Sequence, residues 1–234
     1  MFTRRLFCSC LAGFALTAGT AKAQTAAECA VVTKDRQKSI TPDQALAALR
    51  EGNERVLAGK TINCDLVAQM KGTAAGQAPF AAVLGCIDSR VPPELVFDQD
   101  IGDIFCARVA GNFVNVDNLG SLEFSTKASG AKAIVVLGHS ACGAIKAAVD
   151  KVKAGNMTAM LKNFEPAIKA VGKPNSPANS KNDDYVQKVA EANVRLTVQA
   201  LTRRSKLIKG QVDAGEIKIA GAMHDVATGK VTWL

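Results

Sequence analysis

In the run "CIDSR" a thiol, a carboxylate and a guanidinium follow one another at every second residue: Cys86, Asp88 and Arg90. A second run, "HSAC", sets His139 three residues before Cys142. Thiolates and imidazoles are zinc donors, and two thiolates with one imidazole leave one tetrahedral position over. A structural zinc site uses all four positions for protein ligands, so a set of three points to a catalytic metal. A carboxylate held by a guanidinium beside such a site stays off the metal and keeps a free oxygen as a hydrogen-bond acceptor. An isolated H-x-x-C would carry little, because free cysteine is a common core residue. Without the donors beside it, the Asp88–Arg90 pair would read as an ordinary ion pair. The joint occurrence of both runs carries the argument.

These groups need elements that bring them together. "PFAAVLGCID" has the apolar character and length of a buried parallel strand, which puts Cys86 and Asp88 where its carboxyl end opens into a loop. "AKAIVVLGHS" is a second such strand, ending at His139, and "DIFCARVAG" a third and shorter one. Parallel strands joined by right-handed crossovers place their carboxyl ends on one edge, the edge at which open α/β sheets bind ligands. Cys86, His139 and Cys142 can therefore converge. The helix over "TPDQALAALREGNERVLAG" is predicted with Thr41 as N-cap, Pro42 at its first position and Gln44 closing a capping box. Helical spacing recurs over "NLGSLEFSTKASG", "ACGAIKAAVDKVKAG" and "MTAMLKNFEPAIKAVG", the last interrupted at Pro166. A long helical region from Asp183 breaks near Ser205, and two strands joined by "ATGK" end the chain. The expected fold is α/β, a mostly parallel central sheet flanked by helices with a C-terminal hairpin strand, in a single domain over residues 41–234.

The C-x-D-x-R and H-x-x-C runs together resemble the beta-class carbonic anhydrases, and the resemblance extends from about Thr41 to Leu234. It implies a Zn²⁺ ion on Cys86, His139 and Cys142 and reversible hydration of CO₂ to bicarbonate and a proton by a zinc-bound hydroxide. Two thiolates cancel the formal charge of the ion, so the water is acidified less readily than by neutral ligands, a deficit that Asp88 and Arg90 can correct. Asp88 as a fourth ligand would close the site, and the family shows both states. The resemblance also implies substrate contacts from Gln77, an apolar wall at Phe105 and a backbone N–H at Gly143. It departs from the family where Phe124 replaces a common tyrosine. Val83 stands where bicarbonate-inhibited members carry a tryptophan, a change that Arg108 alone does not offset. A homodimer or higher homo-oligomer is implied. Hydrolysis of carbonyl sulfide or carbon disulfide would use the same motifs. A metal-storing or redox thiol protein would need no aspartate–arginine gate, and a cysteine hydrolase on Cys86 and His139 would leave Cys142 unexplained.

The amino-terminal stretch stands apart from the fold. Arg4 and Arg5, an apolar run from Leu6 to Ala18 and "AKA" at residues 21–23 read as a twin-arginine-like export signal over 1–23, cleaved near Ala23, with a periplasmic or secreted product. The apolar run is shorter than the roughly 20 residues that span a bilayer, so no stable membrane anchor is expected. Residues 24–40 form a polar arm. Loss of Arg4, Arg5 and Lys22 leaves 26 basic against 21 acidic residues, a net charge of +5. Spread along a chain that is only 5% aromatic, this does not resemble a nucleic-acid surface. Five of the seven cysteines remain, an odd count that argues against a pure disulfide framework. Cys29 and Cys64 are candidates to pair after export, and Cys106 reads as core. His224, the second of two histidines, is assigned to packing or to the sheet edge.

Overall fold

The structure, a computed structural model, describes residues 29–62 and 64–234. The leader expected over 1–23 lies outside the described residues, as do residues 24–28 of the arm. In chain order the elements are α1 (Lys34–Ser39), α2 (Pro42–Leu57), α3 (Leu66–Thr73), β1 (Ala81–Gly85), α4 (Pro93–Val96), β2 (Ile104–Arg108) and α5 (Val116–Glu123). There follow β3 (Ala133–His139), α6 (Gly143–Val149), α7 (Met157–Leu161), α8 (Glu165–Val171), α9 (Asp183–Arg204), α10 (Lys206–Asp213), β4 (Lys218–His224) and β5 (Val231–Trp233). The five strands run in the order β2-β1-β3-β4-β5. All neighbours are parallel except β5, which returns antiparallel to β4.

The two central strands are buried on both faces, which explains their unbroken apolar character. Side chains alternate between faces. Leu84, Ile134 and Val136 meet Val189, Val194 and Leu201 of α9 and the buried Phe164. Val83, Val135 and Leu137 meet Leu49 of α2 and Phe97. Gly138 lets α9 approach closely, since a Cβ there would lie 2.5 Å from Val194 Cγ2 and 2.6 Å from Met223 Sδ.

The helix ends follow local chemistry. Thr41 Oγ1 accepts from Gln44 N while the Gln44 side chain accepts from Thr41 N, the expected capping box. Ser205 closes α9 in an extended conformation and caps α10 by accepting from Ile208 N, which accounts for the break. The α7–α8 segment breaks just ahead of Pro166, which sits in the first turn of α8 where its missing N–H is harmless. The helix expected over "ACGAIKAAVDKVKAG" stops at Val149. There Lys151 N and Val152 N turn back to Ala148 O and Ala147 O, a Schellman arrangement that ends the helix.

The polar arm contains a helix, α1. Thr33 caps α1, and the buried Gln37 donates Nε2 to Pro79 O at 2.6 Å and to Ser129 O at 2.9 Å. Cys29 and Cys64 are joined by a disulfide. The short helices α3 and α4 go beyond the sequence reading; α3 is capped by Asp65, which accepts from Val67 N and Ala68 N. Cys106 is half-buried rather than core, because β2 is an edge strand.

Candidate metal centre

Cys86 follows the last residue of β1, His139 ends β3, and Cys142 is the N-cap residue of α6. The β1–β3 register, Gly85 against Leu137, brings these strand ends level. Ligand atoms of Cys86, His139 and Cys142 all lie within 4.8 Å of one another, and all three residues are buried. His139 Nδ1 lies 2.9 Å from Ser140 O. A carbonyl only accepts, so Nδ1 carries the hydrogen and Nε2 keeps its lone pair. That Nε2 is buried without a hydrogen-bond partner. A buried imidazole nitrogen left without a partner, facing two buried thiols, is what a soft-to-borderline divalent ion requires, so the donor set fits zinc.

Electrostatics within the cluster agree. The Cys142 hydrogen bond draws the Cys86 thiol well below its usual range, helped by His139 and by the amides of Gly111 and Asp88, against the opposing effect of burial. Cys142 is pushed up by its partner thiolate and by burial. Thiolate is the form that ligates, so Cys86 and Cys142 would hold a divalent ion as thiolates.

Asp88 stands beside the cluster. Arg90 donates to its Oδ1 from Nε at 2.9 Å and from the backbone N at 3.0 Å, and to Oδ2 from Nη2 at 2.8 Å. These bonds hold the Asp88 carboxyl far below the usual carboxylate range, with burial opposing. Its Oδ2 lies 3.8 Å from His139 Nε2, close to the donor set and engaged by the guanidinium. The structure therefore presents Asp88 in its clamped orientation.

Three residues that sequence reasoning did not connect to the site hold it in place. Arg108, the last residue of β2, donates Nε to Cys86 O at 2.8 Å and Nη2 to Asp88 O at 2.7 Å. Gly111 N donates to Cys86 Sγ at 3.2 Å. Its φ is 82°, and a Cβ there would lie 2.4 Å from Phe164 Cζ, so glycine is needed twice over. Asn193 of α9 donates Nδ2 to Gly111 O at 2.9 Å, fixing that turn from the far side. Only the Gly-Asn pair at 111–112, a turn signal, could have hinted at this.

Comparison with known proteins is decisive at this point. The carbonic anhydrase family profile matches residues 81–231. Carbonic anhydrase 2 of Mycobacterium tuberculosis is 34% identical over 195 residues, covering 81% of this chain and 91% of the relative. Among solved structures, the Coccomyxa beta-carbonic anhydrase in complex with acetazolamide is 27% identical with a TM-score of 0.64, covering 81% of this chain and 84% of that one. This chain belongs to the beta-class carbonic anhydrase family. The carbonic anhydrase of Mycolicibacterium smegmatis is also similar, 33% identical over 81% of this chain and 92% of its own length.

As a beta-class carbonic anhydrase fold, the chain brings some of the remaining positions near its carboxyl edge and not others. Phe105 lies level with Ala82 in the β1–β2 register, well short of the carboxyl edge, and lines a cavity of about 650 Å³ that no residue of the donor set borders, with Phe124 edge-on to it at 6.5 Å between centroids. Phe124 is 58% exposed, because 3.6 residues per turn set it on the side of the helix opposite the buried Leu119 and Leu122. Gly143 is the exposed first residue of α6. Gln77 lies on the loop before β1, at the opposite end of the sheet from Cys86. Five strand residues separate the two ends, about 16 Å. Within one chain, then, Gln77 does not reach the cluster. Val83 is fully buried. His224 pairs with His139 in the β3–β4 register and is buried, with Nδ1 unpartnered.

Proposed function

We propose that the carbonate dehydratase activity of this beta-class carbonic anhydrase, the interconversion of CO₂ and bicarbonate, runs on a zinc ion held by Cys86, His139 and Cys142. The observation that carries this is the buried set of two thiols and an unpartnered imidazole nitrogen with an Arg90-clamped carboxylate beside it. When bound, zinc would supply Lewis acidity that lowers the pKa of a water molecule and so provides the nucleophile for the CO₂ carbon. The protein's own contribution is positioning. Arg90 keeps Asp88 ionised and clamped beside the donor set, so Asp88 can accept a hydrogen bond from the reacting water and fix its direction of attack. His139 is locked in the tautomer that ligates through Nε2 by its bond to Ser140 O. Phe105 lies, like Gln77, short of the carboxyl edge of its own chain, so in this reading the apolar wall it offers CO₂ faces the metal centre of a second copy.

Gln77 enters this reading from a second copy of the chain. Its distance from Cys86 within the chain and the exposure of Phe124 and Val116 beside the cavity support a homo-oligomer whose pocket is completed across an interface. The beta-carbonic anhydrases of Sordaria macrospora, which share this fold, are described as tetrameric. Export to an oxidising compartment belongs to the same proposal and is supported by the Cys29–Cys64 disulfide. No helix among the described residues is long and apolar enough to cross a membrane.

Stopped-flow CO₂ hydration from neutral to alkaline pH, with zinc content measured on the same sample, tests the proposal. Fast hydration with about one zinc per chain is expected. Bound zinc without hydration at any pH would overturn the CO₂ assignment and send the search to carbonyl sulfide and carbon disulfide.

A further inference from the structure

Away from the metal centre, the end of α6 and the helices α7 and α8 enclose a groove of about 450 Å³. Its floor is apolar, built from Val149, Leu161 and Ile168, and its rim carries Lys151, Lys153, Lys162 and Lys169 against the single carboxylate of Glu165. Among the described residues none of these four lysines has an ion-pair partner. Lys146, within α6 itself, is by contrast paired with Asp183 at 3.0 Å. Val152 lies on the rim and is 39% exposed.

The backbone at the rim is also unusual. Lys151 occupies the left-handed position of the Schellman turn, with φ 55°, where glycine is strongly favoured. A lysine there accepts strain that a glycine would avoid, and both Lys151 and Val152 line the groove. An apolar floor inside a ring of unpaired cations has a definite complement. The volume falls in the roughly 300–1,000 Å³ range of small-molecule sites. The concavity suits one flexible chain rather than a flat bilayer.

We propose that this groove binds a single-chain anionic amphiphile, its alkyl chain on the Val149–Leu161–Ile168 floor and its carboxylate or phosphate head among the lysines. No residue of the metal centre lines the groove, so binding is independent of hydration. Isothermal titration of the zinc-loaded full chain with dodecyl phosphate, kept below its micellar concentration, tests this. One molecule per chain is expected, with affinity falling as salt rises. Dodecyltrimethylammonium and inorganic phosphate are expected not to bind. The double variant K153E/K162E, at two exposed positions, is expected to weaken binding at least about tenfold with CO₂ hydration unchanged. Val152→Ser, which leaves every charge in place, is expected to weaken it through the lost apolar contact. Equal binding of dodecanol or of inorganic phosphate would overturn the proposal. So would several molecules per chain, or an affinity unmoved by both variants.

Discussion

Arg108→Met removes the fork that ties β2 to the loop bearing a ligand and the gating carboxylate while keeping most of the side-chain volume. Arg108 makes two hydrogen bonds, to the carbonyls of Cys86 and Asp88, at 2.8 and 2.7 Å. A shielded hydrogen bond from a charged donor contributes about 1.5–3 kcal/mol. Arg108 is only half-buried, so about 1 kcal/mol each is the better figure, and about 2 kcal/mol for the pair. If the fork's task is to orient Cys86 and Asp88, most of that loss appears in metal binding. Zinc affinity should then fall about ten- to thirtyfold, the usual range for groups that orient ligands. Competition with a chromophoric chelator measures the affinity, and denaturant melts of the metal-free protein measure stability beside it. The metal-free form should lose no more than about 1 kcal/mol. Arg108→Lys, which keeps the charge and loses the fork, should fall between the two. Zinc affinity within about twofold of the parent would refute the reasoning. A melt that accounts for the whole loss would leave Arg108 a purely structural residue.

Other consequences of the structure can be checked separately. Arg90→Gln should lower hydration most at neutral pH, because Asp88 is then free to approach the donor set; X-ray absorption at the zinc edge should show an added oxygen ligand, and an unchanged spectrum with unchanged activity would contradict this. The same variant bears on acid stability. The depressed folded-state pKa of Asp88 adds stability above its ordinary value of about 3.9 that is lost as pH falls through the folded value. The difference between parent and Arg90→Gln in denaturant midpoint should therefore be present at pH 7 and shrink below about pH 4. Asp103 behaves in the opposite sense: burial pushes it up to about 6, against the hydrogen bond it accepts from Asp100 N, so the folded protein loses stability as pH rises from the unfolded value near 4 through 6. Asp103→Asn should be more stable than the parent by about 1–2 kcal/mol above pH 6, with the gain vanishing below about pH 4. Cys29→Ser with Cys64→Ser opens a loop closed across a separation of 35 residues, and should cost about 4 kcal/mol in a melt under oxidising conditions and nothing under reducing ones.

What could be read from the sequence depended on how far apart the cooperating residues lie. Cys86, Asp88 and Arg90 sit at one strand end and His139 and Cys142 at another, so two short runs and the parallel-strand rule were enough to bring them together. The capping box of α2 and the break at Ser205 were legible for the same reason, since each is decided by side chains three residues from the backbone they serve. Arg108, Gly111 and Asn193 were not legible as parts of the site. Their partners lie 20 to 82 residues away, and no local pattern marks an arginine at the end of an edge strand as the clamp of a neighbouring loop. Phe124 was legible as exposed, since 3.6 residues per turn set it opposite Leu119 and Leu122; the π-turn that follows it carries no such mark in the sequence.

Gln77 marks a different kind of limit. A sequence motif can align a residue with a site, but it does not say which copy of the chain delivers it. The strand geometry restricts the answer: a loop at the amino end of β1 cannot fold back across about 16 Å of buried sheet to reach that strand's carboxyl end without dismantling the core. Any contact between Gln77 and substrate at Cys86 therefore has to cross an interface. Mixing two inactive variants, Gln77→Ala and Cys86→Ala, tests this, since a mixed dimer would contain one pocket with both the intact glutamine and the intact ligand set. Recovered hydration on mixing, reaching about a quarter of the parent rate under random exchange of subunits, would show that the pocket is shared. No recovery, with exchange verified by mass, would place Gln77 outside the reaction.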